Sequence, residues 1–198
     1  MSTGMNFFDL AQAQATPWKN GGGSTRELAC WPPAAPGRPG LDNFEWRVSV
    51  ATIAAPGPFS AFAGVDRQIM LLEGDGVQLA SPAWQHTLGT RWEPFAFSGD
   101  DAVDCTLLGG TSTDFNLMLR RGVWQGRLQV LTSKPAPAAN GLCMVLQGQW
   151  QVGRGGRVLT AGQGCWWMDA APQNLQPVAG DGPAAPVLAS VTLERAAP

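Results

Sequence analysis

The chain of 198 residues contains no tyrosine, one histidine, two lysines and only 14% charged residues, against a usual charged share of about 25%. Each scarcity excludes something. Thirteen Lys and Arg against fifteen Asp and Glu leave a net charge of −2, so no basic field exists to gather phosphates. Nucleic acid and anionic membrane surfaces are therefore not expected partners. No run approaches the roughly 20 apolar residues of a transmembrane helix, and residues 1–10 hold neither a basic region nor the apolar core of a signal peptide, so a cytoplasmic protein is expected. The four cysteines, Cys30, Cys105, Cys143 and Cys165, stand far apart with no CxxC pair, which predicts buried reduced thiols in place of a zinc site. Imidazole is the commonest metal ligand, and His86 is the sole one; it is expected on the surface or in a loop between strands.

What is abundant points to one class. Gly (25) and Pro (16) make up about a fifth of the chain, too much punctuation for long helices but suited to short strands joined by turns. Hydrophobic residues at 44% suffice for a core, and a chain of this size hides about 70% of its unfolded surface without staples. An all-β sandwich or small barrel is expected.

Period-two alternation marks the strands. Phe44, Trp46, Val48 and Val50 alternate with Glu45, Arg47 and Ser49, which predicts one packed face and one carrying Arg47, extended by residues 51–53. Pro56-Gly57-Pro58 breaks that strand. Residues 68–72 and 77–80 flank the hairpin signal Glu73-Gly74-Asp75-Gly76. Further strands are expected at 92–97, 103–108, 115–120, 126–131, 143–152, 164–168, 175–178 and 187–193. An internal repeat sets Ile69-Met70-Leu71-Leu72-Glu73-Gly74 over Cys143-Met144-Val145-Leu146-Gln147-Gly148 at an offset of 74, each copy followed by strand, glycine turn and aromatic strand. This order resembles the cupin jelly-roll half-motif. The expected organisation is an N-terminal half over residues 1–125 with the ligand pocket and a C-terminal half over 126–198, packed as one structural unit, with the Pro/Ala stretch 133–139 at the entry to the second half.

Three segments carry candidate chemistry. In Trp18-Lys19-Asn20-Gly21-Gly22-Gly23 three consecutive glycines allow backbone N–H groups to converge into an anion-binding nest beside one of the two lysines. In Phe59-Ser60 through Asp66-Arg67, an arginine at a strand mouth offers a planar fork for a carboxylate; a salt bridge to a neighbouring strand is the alternative. In 109–121, Asp114, Asn116, Met118 and Arg120 share one strand face, opposite Phe115, Leu117 and Leu119. A polar face inside a small barrel looks at solvent or into a polar pocket.

These segments, with Trp46-Arg47-Val48-Ser49-Val50-Ala51, Gly57-Pro58-Phe59-Ser60 and Phe97-Ser98-Gly99-Asp100, occur in the order found in the HutD/Ves family, which the chain resembles over most of residues 5–121. Ala63 stands where that family often has Pro. The resemblance implies a bicupin fold without the usual metal ligands and a regulatory role in bacterial histidine utilisation, through binding of formiminoglutamate, formylglutamate or urocanate. Cupin metal sites of the common type use two or three His with a Glu, so neither a metal nor another cofactor is expected. On this reading Lys19, Arg67 and Arg120 hold a small carboxylate-bearing molecule, Asn20 and Asn116 read its amide or imine groups, and Trp18 and Phe59 form the apolar wall. The competing readings are a metal-free isomerase or hydrolase with Asp66, Glu27 or Asp114 as general base, and an interaction module anchored on Trp166-Trp167. Exposed barrel edges favour a homodimer.

Overall fold

The computed structural model describes residues 4–33, 43–179 and 185–197; they form strands and turns and no helix, so none is present that is long and apolar enough to cross a membrane. The chain opens with β1 (Asn6–Asp9), β2 (Ala15–Pro17), β3 (Gly23–Trp31), β4 (Trp46–Ile53), β5 (Gly57–Pro58) and β6 (Val65–Glu73). It continues through β7 (Val77–Ala80), β8 (Gln85–Leu88), β9 (Pro94–Ser98), β10 (Asp104–Leu107), β11 (Ser112–Arg120) and β12 (Trp124–Leu131). The remainder is β13 (Asn140–Gln147), β14 (Gln149–Val152), β15 (Arg157–Thr160), β16 (Gln163–Trp167), β17 (Gln176–Pro177) and β18 (Val187–Arg195). The all-β class expected from composition is the class observed.

Two compact units result. One contains the described residues of 13–124 with 196–197, the other those of 4–12 and 125–195. The change of unit at 124/125 lies one residue from the expected boundary, but the first twelve residues depart from expectation: β1 pairs antiparallel with β16, from Asn6↔Trp166 to Asp9↔Gln163, and so belongs to the second unit. The first unit has a six-stranded sheet ordered β2-β3-β4-β11-β6-β9 and a four-stranded sheet ordered β5-β10-β7-β8. The second has a five-stranded sheet ordered β1-β16-β13-β18-β12 and a three-stranded sheet ordered β15-β14-β17. Strand by strand these repeat one another. β4-β11-β6-β9 corresponds to β12-β18-β13-β16, and β10-β7-β8 to β17-β14-β15, an order consistent with the 74-residue sequence repeat.

The repeat hinges on two glycines. Gly74 (φ 95°) ends β6 and Gly148 (φ 71°) ends β13, each sending the following strand into the other sheet of its unit. A Cβ on Gly74 would collide with the Thr111 carbonyl, and its left-handed backbone disfavours any side chain. The run 143–152, expected as one strand, is therefore two.

Several strands escaped the pattern reading. β3 grows out of the glycine-rich segment, and Gln85-His86-Thr87, expected between strands, lies in β8. There His86 is half-buried and stacks on Phe95, ring centroids 3.7 Å apart. β4 is buried on both faces, so the face carrying Arg47 is not open to solvent as its alternation suggested; Arg47 is 5% exposed. All four cysteines are buried.

Candidate functional site

The antiparallel register of the six-stranded sheet fixes which side chains share its inner face. Arg47 lies beside Met118, Met118 beside Arg67, and Arg67 beside Phe97, forming one row across β4, β11, β6 and β9. The next row is Glu27, Ser49, Asn116, Ile69 and Phe95, and the one beyond it Thr25, Ala51, Asp114 and Leu71. Ile69, Leu71 and Phe97 pack with Val77, Leu79 and Cys105 of the four-stranded sheet, so this face is the interior of the first unit. Polar residues inside a barrel require partners or a ligand.

Arg47 has its partner. Its Nε donates to Glu27 Oε2 at 2.8 Å, and a second nitrogen reaches Ser49 Oγ at 3.4 Å. Arg67 has no acid beside it among the described residues. One of its terminal nitrogens donates to Asn116 Oδ1 at 3.1 Å and the other to the Ser60 carbonyl at 3.4 Å, while Nε is buried without a partner. Three rings surround its guanidinium, Phe97 at 4.8 Å, Phe59 at 5.4 Å and Phe62 at 5.7 Å from Cζ. The ring faces compensate part of the lost hydration. Burial, aided by the charge of Arg47, lowers Arg67 to about 10, leaving it cationic at neutral pH.

Asp114 is the second unusual group. The carboxyl is fully buried, and neither oxygen has a hydrogen-bond partner. Burial pushes it up to about 7. The neighbouring Cys105 thiol is pushed to about 12, by burial first and then by the Asp114 charge. No group of three or more His, Cys, Asp or Glu side chains able to hold a metal ion occurs among the described residues.

The structure brings some of the expected residues together and separates others. Arg67 meets Asn116, the Ser60 carbonyl and the Phe59 ring, and Asp114 lies on the same inner face one row beyond Asn116, with no contact to Arg67. Trp18 packs on the same core and donates from Nε1 to Thr25 Oγ1 at 2.7 Å. Lys19 and Asn20 are exposed on the β2–β3 turn. The glycine nest expected there does not form: the Gly21 N–H donates to the Trp18 carbonyl at 3.0 Å and the Gly22 N–H to Asn20 Oδ1 at 3.0 Å, while Gly23 is held in the β3–β4 ladder opposite Ile53. Asp66 points outward, as the strand neighbour of an inward Arg67 must, and takes two hydrogen bonds from Arg121, at 2.8 and 2.9 Å. Arg120 sits at the strand end over Phe44, its terminal nitrogens donating to the Ala63 and Phe44 carbonyls at 3.4 and 3.5 Å. Of the pair proposed as surface anchors, Trp167 is buried and Trp166 half-buried.

Pattern reasoning left Arg47, Ser49, Met118, Phe62 and Phe97 out of the site. A usable signal existed: Arg47 and Ser49 occupy alternate positions of a strand rich in apolar residues on its other face, and an interior strand keeps such a pair only where another strand answers it.

The second unit supplies an internal comparison. At the offset of 74 the counterpart of Arg67 is Gly141, and its register partner is Trp167, just as Phe97 is the partner of Arg67. The indole lies 2.7 Å from where a Cβ on Gly141 would stand, and its Nε1 donates to the Ala138 carbonyl at 2.9 Å. A cavity of about 290 Å³ beside it is lined by Trp167, Ser190 and Thr192 together with residues 134–138 and 172–175.

The fold and its interior define an all-β protein of two similar jelly-roll units, one of which holds the buried side chains Arg47, Arg67 and Asp114. Sequence comparison narrows that class: the HutD family profile matches residues 10–184, and the chain belongs to the HutD family. It is 41% identical to the protein Ves of Citrobacter koseri over 169 residues, covering 83% of this chain and 84% of the relative. Among solved structures it is similar to the conserved protein of unknown function PA5104 from Pseudomonas aeruginosa PAO1, at 31% identity and TM-score 0.82, covering 96% of this chain and 99% of that one. It is also similar to HutD from Pseudomonas fluorescens SBW25, determined in a formate condition, at 28% identity and TM-score 0.78, covering 98% and 100%.

Proposed function

We propose that this protein is a non-catalytic binding regulator of histidine utilisation, acting in the cytoplasm, whose ligand is a small carboxylate produced in histidine breakdown, formiminoglutamate, formylglutamate or urocanate. The HutD name of its family supplies the pathway. The observation that carries the chemistry is Arg67: a buried cation held by an amide oxygen and a carbonyl, walled by three phenylalanine rings and lacking any acid among the described residues. A carboxylate would complete it, since a guanidinium offers two parallel donors to a planar anion. Lys19, at the exposed turn, adds a cation for ligand capture.

Isothermal titration of the folded protein with the three compounds tests the reading. Heat with at least one, abolished in Arg67→Lys, is expected; no heat with any of them overturns it. One observation favours a second reading. With Glu27 engaged by Arg47 and Asp66 by Arg121, Asp114 is the remaining general base of the three weighed, and its position near 7 suits proton transfer. Following the same compounds by NMR in the presence of the protein separates the two readings, because a binding regulator leaves them unchanged.

A further inference from the structure

Asp114 has no role in the carboxylate reading above, yet its burial without partners demands one. A carboxyl cut off from water and left without hydrogen bonds costs the fold free energy, and such a group is retained where something else completes it. Among the described residues, no donor on the elements packed around it is hydrogen-bonded to it. Its neighbours in register are Ala51 on β4 and Leu71 on β6, and across the interior stands Cys105 on β10, whose thiol is a weak donor. Thr25 on β3, in the same row, accepts from Trp18, and its own O–H makes no hydrogen bond to Asp114. Asn116, two residues along the same strand face and about 7 Å away, accepts from Arg67 through Oδ1, and its amide N–H groups make no hydrogen bond to Asp114.

The charges of the interior make the same point. Glu27 balances Arg47. Arg67 and an ionised Asp114 would balance one another in number, but no contact joins them. A ligand that carries a carboxylate for Arg67 and a positive, N–H-bearing group for Asp114 would leave every buried charge paired, whereas a simple carboxylate would leave Asp114 unanswered. Since both carboxyl oxygens lack a partner, the matching group is planar and presents two N–H donors side by side.

Resting on the binding reading above, we propose that Asp114 is the specificity-determining acceptor of the site, pairing through both oxygens with a planar amidine-type N–C–N head on a ligand whose carboxylate lies on Arg67. This selects formimino compounds over formyl compounds. An amidinium pairs with an ionised carboxylate. A formamide, with one N–H and one carbonyl, pairs with the protonated acid, which donates to the carbonyl and accepts from the N–H. The two ligands therefore demand opposite protonation states of one residue, and their affinities move in opposite directions with pH.

The experiment is isothermal titration of the full chain with N-formimino-L-glutamate and N-formyl-L-glutamate between pH 6 and 8.5, for the wild type and Asp114→Asn. Arg67, at about 10, and Cys105, at about 12, keep their states across this range, and the other acidic and basic side chains on the neighbouring strands are Arg26 and Glu27 on β3, Arg47 on β4, Asp66 and Glu73 on β6, Asp104 on β10 and His86 on β8. At pH 8 the formimino compound is expected to bind about 10-fold more tightly than the formyl compound, and D114N to weaken it by about 30-fold while tightening the formyl compound, because Asn offers the donor and acceptor of the protonated acid at every pH. Affinity for the formimino compound should rise with pH and that for the formyl compound fall. Equal affinities, an unaffected D114N, or parallel pH profiles overturn the assignment to Asp114 while leaving the binding function intact. Absence of binding by both overturns the function as well. Should D114N fail to fold, the opposed pH slopes of the wild type decide alone.

Discussion

Asn116 accepts a hydrogen bond from Arg67 across 3.1 Å of barrel interior, and this neutral partner, not an acid, orients the buried guanidinium. Such a cation contributes little to folding, because desolvation costs are not recovered by a counter-charge. Replacing Arg67 by Met, which conserves much of its volume, is expected to leave the thermal midpoint equal to or above that of the wild type, and Arg67→Lys to keep the fold. Both should lose carboxylate binding by at least about 30-fold, since two charge-assisted hydrogen bonds disappear or lose their geometry. Calorimetry for the midpoint and titration for the affinity check the two halves separately.

Glu27 predicts the reverse. Changing it to Gln leaves Arg47, 5% exposed, without its negative partner. Removing one member of a buried ion pair typically costs about 3 kcal/mol or more, so Glu27→Gln should lower the urea midpoint markedly. Restoring stability in a Glu27→Gln, Arg47→Met double variant would show that the isolated charge is responsible.

Asp114 gives the fold a pH dependence of definite sign. Its carboxyl, ordinarily at 3.8, is raised to about 7 by burial. Between these values the folded chain binds the proton that the unfolded chain has released, so stability is full at low pH and falls as pH rises through about 7. The loss amounts to a few kcal/mol on the usual conversion of about 1.4 kcal/mol per pH unit. Asp114→Asn should therefore be more stable than the wild type at pH 8.5, with the gap narrowing steadily as the pH falls towards 4, measured by chemical denaturation of ligand-free protein.

The outward-facing cluster makes a negative control. Arg121 binds Asp66 and Asp100 at 2.8 Å each on an exposed surface, and Asp100 is drawn down to about 2, first by the Gly64 N–H and then by Arg121. Asp66→Asn should leave carboxylate affinity unchanged by titration, in contrast to its strand neighbour Arg67.

Thiol reactivity offers a further check. Cys105 is pushed to about 12, and Cys143, 3.7 Å from the Cys165 sulfur, is raised well above the ordinary range by that neighbour and by burial. Thiolates are the reactive form. A disulfide reagent at pH 8 should titrate none of the four cysteines in the native protein and all four in guanidinium.

The sequence revealed the frame better than the site. Alternation sufficed for β11, whose inward residues Asp114, Asn116 and Met118 were separable from Phe115, Leu117 and Leu119, and the hairpin glycines Gly74 and Gly148 marked the repeat. It could not tell an outer face from an inner one. Arg47 alternates with apolar residues as a solvent-facing residue would, and only the pairing with Glu27 across β3 and β4 makes its burial tolerable. Lys19 and the three glycines formed a dense local pattern, yet their N–H groups are consumed by the turn and the β3–β4 ladder. Arg67 and Asp66 are adjacent in the chain, and the strand's period sends them to different environments, a distinction that depends on which neighbouring strands cover each side.

Gly141 and Trp167 occupy the places that Arg67 and Phe97 hold in the other unit, and the contrast reads as a duplication followed by division of labour. One unit holds a charge that folding does not need. The other fills that position with an indole hydrogen-bonded to the Ala138 carbonyl. A catalogue of variants across the two copies should accordingly divide by phenotype: around Arg67, loss of affinity with the melting curve intact; around Trp167, the melting curve shifted and the affinity spared.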